Sequence, residues 1–167
     1  MEFGLSLGSN LGDRATNLVE ARRRIAAIPG VHIVAQSPLY ETEPVGVKPE
    51  YKDVDFLNAI LVIETIKPPS ELHLLLTNVE RDIGRQRTTD KYAPRTVDID
   101  LIYAGDETID RAGLKIPHPL WSKRRFVLQP LSDVRPDLLI PGYDKTVAQI
   151  LAALPKGEAV KLFQKEW

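Results

Sequence analysis

The spacing of apolar positions along the chain predicts a series of alternating strands and helices. Phe3, Leu5 and Leu7 alternate with small residues, which is typical of a short strand. Further extended runs are predicted over 31–40, 56–65 and 97–103. Apolar residues three or four positions apart predict helices over about 18–28, 68–83 and 147–154. Segments rich in Gly, Pro and charge separate these elements.

The predicted order is β-α-β-β-α-β, followed by a C-terminal helical extension. This order is typical of a ferredoxin-like α+β fold, an antiparallel sheet with helices packed on one face. No repeat or linker divides the sequence, so we expect one domain over residues 1–167. Because this fold supports many unrelated activities, it does not identify the function.

Composition restricts the partners of the protein. Hydrophobic residues make up 43% and charged residues 27% of 167 positions, and the net charge is −1. A chain this close to neutral has no global attraction to nucleic acid or to a membrane, so we expect neither partner. The chain contains no cysteine, which excludes disulfides and thiolate metal sites. The start resembles no signal peptide and no apolar run could span a bilayer, so we expect a cytoplasmic protein.

The predicted strand at 97–103 carries two carboxylates on one face. Val97, Ile99 and Leu101 point to one side of such a strand, and Asp98 and Asp100 point to the other. Two neighbouring carboxylates repel each other unless a cation binds between them, and oxygen ligands favour Mg²⁺ over zinc. The alternative is a solvated strand face that carries two Asp by chance, and this pair alone does not decide between them.

Basic residues flank the Asp98/Asp100 pair along the chain. The upstream and downstream groups are Arg85, Arg87, Lys91 and Arg95, and His118 with Lys123, Arg124 and Arg125. Carboxylates that hold a metal, together with cations that neutralise phosphate oxygens, are what polyphosphate binding requires. A solvated loop or a nucleic-acid patch would give the same composition.

Phe56 and Asn58 share a face at the start of another predicted strand. An aromatic ring can stack on a flat heterocycle, and an amide can donate to and accept from its edge. Phe56 could equally be a core residue. His118 lies between two prolines and could be structural or could contact phosphate. No G-x-x-x-x-G-K-[ST] sequence occurs, which excludes a P-loop enzyme.

Taken together, these segments resemble the 6-hydroxymethyl-7,8-dihydropterin pyrophosphokinase family. The resemblance runs from near Met1 to about Pro136, and its blocks fall at 7–13, 37–46, 55–59, 80–85, 92–101 and 116–126. The most specific part is P-R-T-V-D-I-D-L-I followed by I-P-H-P. Tyr92, Glu43 and Pro119 depart from residues found in other members of the family.

The resemblance implies an enzyme of folate biosynthesis that uses ATP and two Mg²⁺ ions. The pterin hydroxyl would attack the β-phosphorus of ATP and release AMP. The resemblance assigns metal ligation to Asp98 and Asp100, and catalysis to Arg85 and Arg95. The implied nucleotide contacts are Glu80, Arg87, His118 and Arg124. The implied pterin contacts are Thr42, Val45, Phe56, Asn58 and Phe126, with the two Phe rings on either side of the pterin.

Two other functions remain as alternatives at this point. A non-catalytic ferredoxin-like module that binds nucleotide or RNA would carry aromatic and basic residues across its open sheet. A metal-dependent nuclease could use the same Asp pair, but would need more acidic ligands and a broad basic groove. For the pyrophosphokinase we expect ATP and reduced pterin as partners, and a monomer.

Overall fold

The structure is a computed structural model that describes residues 1–44, 49–51, 54–84 and 96–167. The strands are β1 (Glu2–Ser9), β2 (His32–Gln36), β3 (Leu39–Thr42), β4 (Phe56–Glu64), β5 (Asp98–Ala104), β6 (Ile109–Arg111), β7 (Leu114–Ile116) and β8 (Val160–Gln164). The helices are α1 (Arg14–Ala26), α2 (Pro69–Asp82), α3 (Arg125–Val134) and α4 (Val147–Ala153), with short 3₁₀ turns at Pro49–Tyr51 and Trp121–Lys123.

The main sheet is antiparallel, with the strand order β5-β1-β4-β3-β8, and β2 also pairs with β4. Strand β1 lies between β4 and β5, so that Gly8 pairs with Asn58 on one side and with Asp98 on the other. A separate hairpin is formed by β6 and β7. The antiparallel sheet with helices packed on it, as expected from the sequence, is confirmed.

Helices cover both faces of the sheet, whereas the sequence predicted helices on one face only. Helices α1 and α2 contribute Leu18 and Leu72 to a core on the first face. Helices α3 and α4 contribute Leu131 and Val147 to a second core on the opposite face, against Ile60 of β4. The reason lies in β4, which is buried along almost its whole length instead of on alternate residues. A continuous apolar strand of this kind needs cover on both sides.

Local signals explain where the predicted helices begin and end. The Asp13 side chain accepts a hydrogen bond from the backbone N–H of Thr16 at 3.1 Å and caps α1. Gly84 has a positive φ of 99° just after α2, a conformation that side chains other than hydrogen disfavour. Thr146 and Gln149 form a reciprocal capping box at the start of α4.

Two regions differ from the prediction. The single strand expected over 31–40 is divided into β2 and β3 at Ser37 and Pro38, where Pro38 has no N–H to donate to a ladder. The expected C-terminal helical extension contains α4, but it also contains α3 and ends in strand β8. Helix α3 was missed because Pro130, a residue that usually interrupts helices, lies inside it. Within the described residues, no helix is both long and apolar enough to cross a membrane.

Candidate active site

The two carboxylates of β5 lie on the sheet face opposite the first core. Ile99 and Leu101 enter that core, and Asp98 and Asp100, which alternate with them, point away from it and are only partly buried. Because β5 is an edge strand and α3 and α4 cover the second face further along, these carboxylates lie at an end of that face that the helices of the described part of the chain leave uncovered. The alternation in the sequence predicts this placement.

A row of paired residues connects these carboxylates to the polar end of β4. Asp98 pairs with Gly8 of β1, which in turn pairs with Asn58 of β4. Paired residues of an antiparallel sheet share a face, and strands lie about 4.8 Å apart, so the β5 and β4 backbones are roughly 10 Å apart. A Cβ at Gly8 would lie 2.9 Å from Asn58 Oδ1 and 3.5 Å from the Phe56 ring. Glycine at position 8 therefore leaves room for both side chains beside the carboxylates.

Asn58 is fixed by a neighbour from the next strand. Its Nδ2 donates to Thr42 Oγ1 at 2.5 Å, and both residues are buried. Thr42 is the last residue of β3 and pairs with Phe56. Since Phe56, Asn58 and Thr42 share one face of the sheet, they form a compact aromatic and amide surface next to Asp98. Of the pterin contacts predicted on β3 and β4, the structure brings these residues together.

Phe126 lies on the same side of the sheet, on α3. It is partly buried and packs against the second core. The guanidinium carbon of Arg124 lies 5.5 Å from the centroid of the Phe126 ring. The start of α3 therefore carries a cation and an aromatic ring, two residues apart, on the face of the sheet that also carries Phe56 and Asn58.

His118 is held next to β5 by its own backbone. Its N–H donates to the carbonyl oxygen of Ile102 at 2.9 Å, and its Nδ1 accepts from the backbone N–H of Leu120 at 3.1 Å. Burial and the nearby charge of Arg124 lower the pKa of His118 to about 4, and the Asp98 carboxylate opposes this shift. His118 is therefore neutral near pH 7, with its proton on Nε2, where it can donate a hydrogen bond. The same interactions place His118, Arg124 and Asp98 within electrostatic reach of one another.

Glu80 supports β5 from α2. Its side chain is buried, with 4% exposed, and its Oε2 accepts from the backbone N–H of Ile99 at 2.9 Å. Ile99 lies between the two carboxylates on β5, which is an edge strand of the main sheet among the described residues. The resemblance implied a nucleotide contact for Glu80, whereas the contact seen here is to the strand that carries Asp98 and Asp100. The nucleotide role of Glu80 stays a prediction.

A cavity of about 290 Å³ lies beside Asp100 and His118. Its polar lining also includes His73 of α2 and Lys115 of β7, and Pro119 lines it as well. Sequence reasoning missed His73 and Lys115. The alternation of Leu114, Lys115 and Ile116 just before the I-P-H-P segment was a signal that could have revealed Lys115, since it predicts a strand that turns its lysine away from the core.

The residues present are suited to a hard divalent cation that binds together with phosphate. Among the described residues there is no group of three or more His, Asp or Glu that could hold a metal by themselves. Asp98 and Asp100 offer carboxylate oxygens, and Mg²⁺ commonly takes its remaining ligands from water and substrate phosphates. The donor set therefore fits a metal that arrives with a nucleotide.

Comparison with known proteins identifies the family. Residues 4–136 match the family described as 7,8-dihydro-6-hydroxymethylpterin-pyrophosphokinase (HPPK). The chain belongs to this family. It is 40% identical over 158 residues to the 2-amino-4-hydroxy-6-hydroxymethyldihydropteridine pyrophosphokinase of Methylorubrum extorquens, an alignment that covers 92% of this chain and 94% of the relative. It is also 34% identical over 151 residues to the enzyme of the same name from Pseudomonas aeruginosa, with 90% of each chain covered.

Solved structures of HPPK proteins share the fold at low sequence identity. A crystal structure of Plasmodium falciparum HPPK-DHPS with pteroate superposes with a TM-score of 0.71 and 16% identity. The match covers 90% of this chain and 42% of that chain, so this chain spans less than half of the larger protein. At this identity, the likeness supports the arrangement of strands and helices alone.

Nine of the predicted site residues lie in the described part of the chain, namely Asp98, Asp100, Glu80, His118, Arg124, Thr42, Phe56, Asn58 and Phe126. Those on β3 and β4, together with Asp98, lie toward one end of the main sheet. Val45, Arg85, Arg87 and Arg95 lie outside the described residues, as does Tyr92. The predicted roles of all these residues stay predictions.

Proposed function

We propose that this chain transfers a diphosphate from ATP to the hydroxymethyl group of 6-hydroxymethyl-7,8-dihydropterin, in folate biosynthesis. The products are AMP and the pterin diphosphate. The observation that carries the proposal is the register across β5, β1 and β4. It sets the Asp98 and Asp100 carboxylates beside the Phe56 and Asn58 surface on one face of the sheet. A metal-bound polyphosphate at the carboxylates would then lie next to a flat heterocycle bound on the Phe56 and Asn58 surface.

The nucleotide belongs, in this proposal, on the β5 side of the site. Asp98 and Asp100 would hold two Mg²⁺ ions, which neutralise phosphate charge and polarise the reacting oxygens when bound. Neutral His118 would donate from Nε2 to a phosphate oxygen, and Arg124 would add a positive charge beside it. The cavity lined by His73, Lys115 and Asp100 is suited to the rest of the nucleotide. Glu80 and Arg87 complete the proposed nucleotide contacts.

The pterin belongs on the β4 side. Phe56 and Phe126 would stack on its two faces, and the buried Asn58 amide, fixed by Thr42, would read its edge. Val45 completes the proposed pocket. A fixed amide has its donor and acceptor in set directions, which favours one orientation of the ring and so directs the hydroxymethyl group toward the phosphates.

Arg85 and Arg95 are the proposed catalytic residues. Transfer of a phosphoryl or diphosphoryl group depends mainly on in-line positioning and on stabilising charge that spreads over the transferred oxygens. Guanidinium groups supply paired donors that match those oxygens. The two arginines would thus act on the transition state more than on the bound substrates.

The architecture that we propose for this activity is ferredoxin-like. The strand order β5-β1-β4, continued by β2 and β3, together with helices α1 and α2 on one face, supports this description. Helices α3 and α4 and strand β8 are additions to it. We further propose that residues 1–167 form one domain, which works as a cytoplasmic monomer without nucleic acid.

The nucleotide that the reaction releases tests the proposal and distinguishes it from a simple kinase, a binding module and a nuclease. Purified protein is incubated with ATP, Mg²⁺ and the reduced pterin, and nucleotides are resolved by ion-exchange chromatography. We expect AMP and pterin diphosphate in equal amounts, and no AMP when the pterin is omitted. ADP as the product would mean a simple kinase. Absence of any turnover, with ATP still bound, would support a binding module, and cleavage of added DNA or RNA would support a nuclease.

A further inference from the structure

The segment 154–167 lies beyond residues 4–136, which match the family description, and it contacts β3 and the start of α3, the two sides of the proposed pterin pocket. Its strand β8 pairs with β3 in antiparallel register, with Thr42 opposite Val160 and Tyr40 opposite Leu162. Without β8, β3 would be a four-residue edge strand. Thr42, which fixes the Asn58 amide, is its last residue.

Trp167 anchors the far end of this segment. Its indole Nε1–H donates to the carbonyl oxygen of Ser37 at 2.7 Å, just before β3 begins. Its ring lies 4.9 Å below the guanidinium of Arg22 on α1 and packs against the first core. The Gln36 side chain donates in turn to the carbonyl oxygen of Trp167 at 3.3 Å. These contacts fix the position of β8 along β3.

The near end of the segment is attached to the start of α3. Glu158 Oε2 accepts from the backbone N–H of Arg125 at 3.2 Å, an N–H that has no partner within its own helix turn. The Arg125 guanidinium donates to the carbonyl oxygens of Leu154 and Pro155 at 3.1 and 3.3 Å. Arg125 is flanked by Arg124 and by Phe126, the aromatic ring on the other side of the proposed pocket.

We propose that the 154–167 segment is a positioning element that holds the two walls of the pterin pocket at a fixed separation. One wall is β3 with Thr42, and the other is the start of α3 with Phe126. This inference rests on the proposed function for the identity of the ligand. The β5 carboxylates and His118 lie at the opposite edge of the sheet from β8, whereas Arg124 adjoins the attachment of the segment at Arg125. Because the two carboxylates and His118 lie far from the segment, we expect it to affect pterin binding more than nucleotide binding.

The physical reason is the cost of order in a short edge strand. If β8 is removed, the four residues of β3 keep backbone hydrogen bonds to β4 only. The residue at the end of such a short strand is the first to lose its pairing. An open Thr42 would release the Asn58 amide. Apparent affinity falls in proportion to the fraction of molecules with a competent pocket, so opening that leaves about one tenth competent weakens binding about tenfold.

The test compares affinities for the two substrates in variants of the segment. The first variant lacks residues 160–167, and the second is Trp167→Phe, which keeps an aromatic ring beside Arg22 but removes the N–H that binds Ser37. Lys165→Ala, an exposed position of the same segment, is the matched control. Titration calorimetry measures a non-hydrolysable ATP analogue with Mg²⁺, and then the reduced pterin in the presence of that analogue. Thermal melting is recorded for each variant.

We expect about tenfold weaker pterin binding without residues 160–167 and a smaller loss, about threefold, in Trp167→Phe, since fewer contacts are removed. Affinity for the ATP analogue should change by less than about twofold in both, and Lys165→Ala should match the parent protein. Equal losses for both ligands, or unchanged pterin affinity in a folded Trp167→Phe variant, would overturn the inference.

The Glu158 attachment gives an independent check if the shortened variant does not fold. Glu158→Gln keeps an oxygen that accepts from the Arg125 N–H, and Glu158→Ala removes it. We expect Gln to preserve pterin affinity and Ala to reduce it, with both variants folded at the temperature of the titration. The same loss in both, or in neither, contradicts the inference. The proposed function is tested separately, by AMP formation in the parent protein. If the parent protein forms no AMP, the proposed function is refuted, but the role of the segment in binding is not.

Discussion

The buried carboxylate of Glu80 accepts a hydrogen bond from the backbone N–H of Ile99, the residue that lies between Asp98 and Asp100, at 2.9 Å. This bond occupies a backbone donor on β5, which ends the order of strands in the main sheet among the described residues. It fixes the backbone between the two carboxylates, and thus the direction in which both side chains project.

Replacement of Glu80 should reveal whether this support matters. Glu80→Ala leaves the N–H of Ile99 without its acceptor, a loss that typically costs about 1–3 kcal/mol for a buried group. We expect a lower melting temperature and weaker Mg²⁺-dependent binding of ATP in Glu80→Ala. In Glu80→Gln the amide oxygen can still accept, so stability should be largely kept. If Glu80→Gln is stable but loses ATP affinity as fully as Glu80→Ala, Glu80 contacts the nucleotide directly.

The carboxylates themselves should be essential to activity and unimportant to the fold. Asp98→Ala or Asp100→Ala should remove most AMP formation, because the phosphates lose their metal ligands, and should leave the melting temperature unchanged or slightly raised as repulsion between the pair is relieved. Activity assays over a range of Mg²⁺ concentrations, with circular dichroism melts, measure both. Asp106→Ala, an exposed carboxylate just after β5, is the control. Near-normal turnover in either β5 variant would refute the metal assignment.

Phe126 should contribute to pterin binding by stacking. Removal of one aromatic partner from a stacked heterocycle typically costs about 1–3 kcal/mol, so Phe126→Ala should weaken the pterin by that amount. ATP affinity should change little, although Arg124 lies beside the ring and could reorient. Calorimetry with each ligand decides, with Leu139→Ala as an exposed control. Equal losses for both ligands would show that Phe126 acts through packing on the second core.

Glu2 of β1 binds Arg135 at the end of α3, and this contact should make the stability of the protein fall at acid pH. Burial raises the pKa of Glu2, but hydrogen bonds from Arg135 at 3.1 and 3.2 Å and from Tyr103 at 2.6 Å outweigh it and lower that pKa. A carboxyl with a depressed folded pKa stabilises the protein above its unfolded pKa, and this contribution is lost as pH falls through the folded pKa. We expect Arg135→Gln to reduce this acid dependence of the melting temperature below about pH 5. Arg111→Gln, at an exposed position, should leave the acid dependence unchanged. If the melting temperature falls equally with pH in the parent protein and in both variants, this explanation is wrong.

The sequence predicted the elements whose periodicity is unambiguous, and failed where tertiary contacts decide. The predicted bounds of β5, 97–103, lie within one residue of the observed bounds, Asp98–Ala104, because Val97, Ile99 and Leu101 alternate with two carboxylates. Strand β8 was missed because its residues are mostly exposed, and its pairing with β3 depends on Trp167 and Glu158 bonds to distant residues. No local pattern encodes such contacts.

The same distinction holds for the candidate site. Asp98, Asp100, Phe56 and Asn58 were singled out because each stands on a strand whose face the alternation predicts. That Asp98 and Asn58 share one row through Gly8 follows from strand register, which a single sequence does not specify. His73 and Lys115 reach the cavity from α2 and from the β6–β7 hairpin, and only the folded chain brings them next to Asp100.

Arg85 should act mainly on the rate of the chemical step. It follows Gly84 at the end of α2 and lies outside the described residues, so this prediction derives from the chemistry of the transfer. Charge on the transferred oxygens is greatest in the transition state, and a donor that meets it there lowers the barrier without tightening the ground-state complex. Removal of one such donor typically costs about 10²–10³ in rate.

We therefore expect Arg85→Ala to lower kcat by about 10²–10³ while the affinities for ATP and pterin change by less than about threefold. Rapid-quench measurement of AMP formation in a single turnover isolates the chemical step, and equilibrium titration gives the affinities. Arg81→Ala, an exposed arginine one turn earlier on α2, is the matched control and should behave like the parent protein. If Arg85→Ala kept its single-turnover rate and lost mainly ATP affinity, Arg85 would be a nucleotide-binding residue, and transition-state stabilisation would have to be assigned to Arg95 or to the metal ions.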